Sequence, residues 1–176
     1  MVAKLYSDML RFYKTSLYIL SIFLSLLPNK TIAQFGKNGI GLVNAPNTIL
    51  NQYTTLQTNV SVGANTITVN NIAELNNPNP LERGDLLLII QMQGASIRSD
   101  NTIEYGEILN YNGAGNYEFV YVSNVVGNTI SFSCPLQQNY TTAGHTQVIR
   151  VPQYQKLTIQ TGASVTAPAW NGSRGG

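Results

Sequence analysis

The chain has 176 residues, a formal net charge of +2 and charged side chains at only 10% of its positions. Long amphipathic helices draw on Glu, Lys and Arg for their wet face, so a composition rich in Asn, Thr, Gln, Ser and Gly argues against a helical protein. A single cysteine, Cys134, excludes an internal disulfide, and a single histidine, His145, leaves too few soft ligands for a tetrahedral zinc site.

The first segment reads as an export signal. Lys4, Arg11 and Lys14 form a basic lead, Leu17 to Leu27 an apolar core, and Pro28 breaks the helix. Thr31-Ile32-Ala33 offers small side chains where a signal peptidase accepts them, which sets the cut between Ala33 and Gln34 and makes residues 1–33 a signal peptide. The apolar run is shorter than the ~20 residues a bilayer core requires, so no stable membrane span is expected after cleavage. With that segment removed, six basic and seven acidic residues remain. The positive footprint that neutralises phosphates is gone, which excludes a nucleic-acid partner.

Residues 34–57 carry a weak pattern and read as an exposed, loop-like entry segment, with Val43 or Ile49 touching the core. A β-domain over 58–162 follows. Val60 and Val62 share one face, Gly63 to Asn65 turn, and Ile67 and Val69 share a face on the next strand, which predicts a hairpin. Residues 72–76 allow one helical turn, and Asn76-Asn-Pro-Asn-Pro80 breaks the chain. Gly84-Asp85 then opens Leu86 to Ile90, an unbroken apolar run that predicts a central strand buried on both faces.

Arg98 to Asn101 reads as polar loop, Glu104 to Tyr111 as a strand anchored by Tyr105, Ile108 and Tyr111, and Asn112 to Asn116 as a hairpin loop. On the next strand Tyr117, Phe119, Tyr121 and Ser123 fall on one face, with Glu118, Val120 and Val122 opposite. Gly127-Asn128 turns the chain into Thr129 to Ser133, where Ile130 and Phe132 point together and Cys134 is expected as a small buried residue. A polar loop over 137–144 leads to strands at Thr146 to Val151 and Lys156 to Gln160. Short strands at regular spacing with glycine turns specify an all-β fold, either an antiparallel β-sandwich or a small β-barrel. Residues 163–176 open a following β region, and the stop after Trp170-Asn-Gly-Ser-Arg-Gly-Gly176 reads as the front end of a longer protein.

No catalytic constellation is evident, and no enzyme is expected. His145 lies near no Gly-x-Ser-x-Gly elbow. Glu104 and Glu107 are three positions apart and would face opposite sides of a strand, whereas glycoside hydrolysis needs two carboxyls facing one cleft. Glu82 and Asp85 flank a turn and are assigned to nearby backbone N–H groups. No cofactor is implied. Asp85 and Asp100-Asn101 are the calcium candidates, without an Asp-x-Asp-x-Asp loop. Aromatic rings beside strands offer an apolar surface with a polar tip, which makes Tyr105, Tyr117, Tyr121, Tyr140 and Trp170 the candidate contacts for surface glycans.

Gly84-Asp85-Leu-Leu-Leu-Ile-Ile-Gln-Met-Gln93, Tyr105-Gly-Glu-Ile-Leu109, Gly127-Asn-Thr-Ile-Ser131, Pro135-Leu-Gln-Gln-Asn-Tyr140 and Trp170-Asn-Gly-Ser-Arg-Gly-Gly176 form a distinctive set. Together they resemble the N-terminal region of large exported Bacteroidetes surface proteins, the adhesin-like, type IX-secreted or gliding-associated group. The resemblance implies a structural or adhesive β-module at the cell surface or outside the cell. Its partner would be a glycine-rich β region downstream on the same chain, with a sorting domain later still. Without that sorting domain a lone fragment would stay in the periplasm. The alternative function is a carbohydrate-binding module beside a polysaccharide-active enzyme.

Overall fold

A computed structural model describes residues 36–176. The expected cut between Ala33 and Gln34 lies outside the described residues. The described chain is all-β. Its strands are β1 (Ile40–Val43), β2 (Thr48–Ile49), β3 (Gln52–Thr55), β4 (Thr66–Thr68), β5 (Leu86–Gln91), β6 (Ser96–Ile97), β7 (Ile108–Asn110), β8 (Tyr117–Val126), β9 (Thr129–Phe132), β10 (Thr146–Val151), β11 (Lys156–Ile159) and β12 (Val165–Thr166). One 3₁₀ turn, Ile72–Leu75, is capped by the Asn71 side chain, which accepts from the Ala73 N–H. Among the described residues no helix is long and apolar enough to cross a membrane.

Six strands form one antiparallel sheet in the order β3-β10-β5-β8-β9-β4. Its two edges meet. Leu56 bridges Val69, the Gln57 N–H donates to Thr68 O at 2.8 Å, and the Asn70 N–H donates to Thr55 O at 2.9 Å. The sheet is therefore curled into a small barrel, which removes the exposed edges an open sheet would leave. β8 turns the corner: its first half pairs with β5, its second half with β9, and a register shift between Val122 and Asn124 lets the strand bend. Leu87, Ile89, Val120, Val122, Ile130 and Val148 alternate inward and form the core.

The expected alternation on β8 is present, and the valines rather than the aromatics face inward. β5 is central, but only Leu87, Ile89 and Gln91 are buried; Leu86, Leu88 and Ile90 are half-covered on the outer face. The expected hairpin between Val60 and Ile67 does not form. Val60 exchanges both backbone hydrogen bonds with Tyr140, while Ile67 pairs with Ile130; Ile67, Ile130 and Tyr140 belong to the core cluster and Val60 packs against it. Of Glu104 to Tyr111 only Ile108–Asn110 is a strand, and Tyr105, Ile108 and Tyr111 are exposed on a projecting β6–β7 hairpin rather than anchored. Cys134 is exposed, since the chain turns at Ser133 before reaching the interior.

The stretch expected as a loop-like entry segment contributes three strands. β1 pairs in parallel with β11, from Ile40 opposite Lys156 to Val43 opposite Ile159, and β2 pairs in parallel with β12. The corners between them also stack: the Gln160 N–H donates to Val43 O, the Ser164 N–H to Ala45 O and the Thr48 N–H to Ser164 O. Two coils of a parallel stack are thus built from the start and the end of the described chain, and the barrel is inserted between them. Of Val43 or Ile49, one of which is expected to touch the core, Val43 is buried and Ile49 is exposed.

Candidate functional site

Polar side chains plug both ends of the barrel. Arg150 occupies an inward position on β10 opposite Leu87, near the start of β5. Its guanidinium donates through Nη1 to Leu75 O and Asn79 O, each at 2.7 Å, and through Nη2 to Asp85 Oδ2 at 2.8 Å. Asp85 is almost fully buried and also receives Lys37 Nζ at 2.7 Å and the Glu82 N–H at 2.9 Å. Lys37 further bonds Glu82 Oε1 at 3.2 Å and Arg83 O at 2.9 Å. Each ion of this cluster is thus both paired and hydrogen-bonded, as buried charges require.

Above this floor lies a cleft of about 290 Å³. Asn38, Gln52, Asn77, Asn79, Glu82 and Tyr154 surround it, and Leu50, Pro78 and Pro152 supply apolar wall. The Gln52 side-chain Oε1 accepts from the Asn77 N–H at 3.3 Å, and the Asn38 side-chain Oδ1 accepts from the Gln153 N–H at 2.6 Å. Among the described residues the NH2 groups of Asn38, Gln52, Asn77 and Asn79 and the Tyr154 hydroxyl make no hydrogen bond to protein.

The opposite end is closed by Gln91, fully buried at the last inward position of β5. Its Nε2 donates to Gln93 O and Asn112 O, both at 2.9 Å, and its Oε1 accepts from the Thr141 N–H at 3.0 Å. One amide therefore ties the 112–116 turn and the 137–145 loop to the barrel. Gly144 packs directly on it, and any Cβ there would overlap the Gln91 side chain. At this end Tyr140 is fully buried and its hydroxyl has no hydrogen-bond partner. Burial, then the negative charge of Glu118, pushes the phenol well above its ordinary value.

The five candidate aromatic contacts are not brought together. Tyr117 and Tyr121 are exposed on the outer face of β8 with Phe119 between them, and Tyr117 meets Phe119 edge-to-face with ring centroids 6.5 Å apart. Tyr105 is exposed on the projecting hairpin, and Tyr140 belongs to the core, with no surface to offer. Trp170 stacks edge-to-face on His145, centroids 6.2 Å apart. His145 is held in its loop with φ at +49° and an N–H donated to Thr142 O, without a carboxylate partner among the described residues. Of the calcium candidates, Asp85 already carries two cations, and Asp100 faces Arg98 at 3.6 Å.

The final glycines, expected to open a following β region, are docked on the barrel. Gln147 faces outward on β10 yet is buried beneath them: its Oε1 accepts from the Gly175 N–H at 2.8 Å and its Nε2 donates to Gly175 O at 3.2 Å. Tyr53 Oη reaches Gly176 O at 3.3 Å, and Arg174 pairs with Glu74. Gly175 has φ at +113° and lies against the Ala169 carbonyl, a place without room for a side chain. Sequence reasoning misses Asp85–Arg150, Gln91 and Gln147. A polar residue breaking an apolar strand pattern is their only signal.

No protein-family profile and no curated protein matches the sequence. Solved structures similar to part of the chain are phage tailspikes. Gp54 tailspike of Acinetobacter baumannii bacteriophage AP22, solved in complex with A. baumannii capsular saccharide, has a TM-score of 0.41 and 20% identity over 68% of this chain and 16% of its own. The Pseudomonas phage phi297 tailspike gp61 has a TM-score of 0.37 and 18% identity over 65% of this chain and 20% of its own. The tailspike gp49 of Pseudomonas phage LKA1 has a TM-score of 0.36 and 17% identity over 72% of this chain and 26% of its own. The chain thus spans at most about a quarter of these proteins. Similarity at this level does not extend to what they bind.

Proposed function

We propose that the chain is a non-enzymatic structural β-module of an exported bacterial surface protein, whose work is to start a parallel β stack and hold a barrel at its base. The observation that carries this reading is a burial difference along one face of the two coils. On that face Gly41 and Val43 of β1 are buried and their partners Leu157 and Ile159 are not; Ile40 and Leu42 point to the other, open face. Val43, on the first coil, is 2% exposed, whereas Ile159, its register partner on the second, is 50% exposed. Leu157 and Val165 are also open, at 37% and 42%. Apolar side chains stacked in parallel register bury one another coil by coil, so an open coil offers the template for the next. The partner in this reading is a β element downstream on the same chain.

The distribution of acids supports a scaffold. Asp85, Glu82, Glu107 and Glu74 pair with Lys37, Arg150, Arg98 or Arg174, and Glu118 accepts from the Gln137 and Gln138 N–H groups. They hold loops in place, and the two that line one cleft, Glu82 and Asp85, share Lys37.

Reading the coding sequence past Gly176 tests the proposal, combined with hydrogen exchange on the chain with and without its downstream continuation. In-frame continuation that slows exchange at the Leu157 to Ile159 and Val165 amides is the expected result. A stop codon at that point, with β11 and β12 exchanging freely, would overturn it.

A further inference from the structure

The scaffold reading leaves the cleft at the charged end of the barrel without a role. We propose that this cleft binds a neutral sugar residue, as the end or a branch of a glycan.

The chemistry of its lining selects the ligand class. Lys37 and Arg150 are the cations that line it, and both are committed to Asp85, with Arg150 also donating to two carbonyls. A phosphate or carboxylate would find no free positive charge there and would face the rim carboxylate of Glu82, whose Oε1 is held by Lys37. What remains for a ligand are uncharged groups: the amides of Asn38, Gln52, Asn77 and Asn79 and the Tyr154 hydroxyl. An amide both donates and accepts, and so does each hydroxyl of a pyranose, so a ring with vicinal hydroxyls can satisfy several of them at once. Two proline rings and Leu50 give the apolar surface on which the C–H face of a sugar packs. At about 290 Å³ the space is at the lower limit of the ~300–1,000 Å³ usual for ligand sites, which suits one ring rather than an extended chain.

The floor explains why the cleft would be preformed. The Arg150–Asp85–Lys37 cluster joins β10, the start of β5 and the entry segment, and Arg150 fixes the Asn79 carbonyl directly. The Asn79 backbone and the Gln52 and Asn38 side-chain oxygens are therefore held, and binding would order chiefly the exposed Asn77 and Asn79 amides. This site is separate from the outer face of β8, where Tyr117 and Phe119 meet edge-to-face and offer no flat platform.

The test is retention of the full purified chain on an array of immobilised neutral mono- and oligosaccharides, with uronate and sialylated glycans on the same array. Asn79→Ala keeps the backbone carbonyl that Arg150 uses, and Tyr154→Phe removes only a hydroxyl. Each is expected to weaken retention of a neutral glycan about three- to tenfold, as one lost hydrogen bond would, with the unfolding midpoint unchanged. Tyr117→Ala is expected to leave retention as it was. Three results would overturn the proposal: no neutral glycan retained, retention confined to acidic glycans, or retention that survives both cleft changes.

Discussion

The barrel's two ends are closed by buried polar groups of opposite kinds, and the contrast explains how this chain organises its loops. Gln91 is a neutral amide whose partners are backbone groups of the strand end and two loops, with the Thr141 hydroxyl beside them. It fixes those loops by geometry, and no charge has been taken out of water. Asp85 and Arg150 are ions, each desolvated and each dependent on the other, with Lys37 as the third member. The amide plug can be lost one hydrogen bond at a time. The charged plug is more tightly coupled, because removing Arg150 leaves the buried Asp85 with Lys37 as its one cation, and removing Asp85 takes the carboxylate from Arg150.

Arg150→Met is the sharpest way to break that contrast. It leaves the buried Asp85 with Lys37 as its one cation and deprives the Leu75 and Asn79 carbonyls of their donor, at an expected cost of about 3–5 kcal/mol in urea unfolding. Adding Asp85→Leu should cost less than the sum of the two single changes, since both break the same Arg150–Asp85 pair. Gln91→Leu comes next. It orphans the Thr141 N–H and two carbonyls, for an expected loss of about 2–3 kcal/mol and faster exchange in the 112–116 and 137–145 loops. A larger loss for Gln91→Leu than for Arg150→Met would invert the comparison.

The sequence makes the all-β class and most strands legible because alternation and glycine turns are local signals. Leu86 to Ile90, Tyr117 to Val122 and Thr129 to Phe132 are all strands in the structure. Pairing partners are a different matter. Ile40 to Val43 looks like a loop in isolation, since a strand whose partner lies more than a hundred residues later carries little local pattern. Parallel pairing in particular leaves no hairpin turn to read. The plugs escape a sequence reading for a related reason. Asp85 reads as a turn residue beside Glu82, which it is, but its deciding partner Arg150 is distant in sequence and joins it only when β10 lies beside β5. Tyr140, likewise, falls among the exposed rings on composition alone, although its reciprocal pairing with Val60 draws it inside.

Outside the barrel the same logic predicts smaller effects. Gln147→Leu removes both hydrogen bonds to Gly175 but touches no charge, and the freed segment can turn its peptide to water. Global stability should fall by about 1 kcal/mol, with exchange at the Gly175 and Gly176 amides accelerating far more than in the core strands. A uniform acceleration would mean that the docked segment belongs to the barrel's cooperative unit.

Tyr140 gives the smallest effect near neutral pH, and one that changes with pH. Its buried hydroxyl has no hydrogen-bond partner, so Tyr140→Phe should be neutral or stabilising by up to about 1 kcal/mol near neutral pH. The folded phenol titrates above its unfolded value because burial and the Glu118 carboxylate both oppose the phenolate. Once pH passes the unfolded value of about 10, the unfolded chain releases a proton that the folded chain keeps, and stability falls as pH rises. Below that value the contribution is fully present and flat. The Phe variant lacks it, so its advantage should grow by about 1.4 kcal/mol for each pH unit above about 10 in denaturant titrations. Parallel losses in the two proteins would show that the phenol at the amide end reaches water before the barrel opens, making that end the looser of the two.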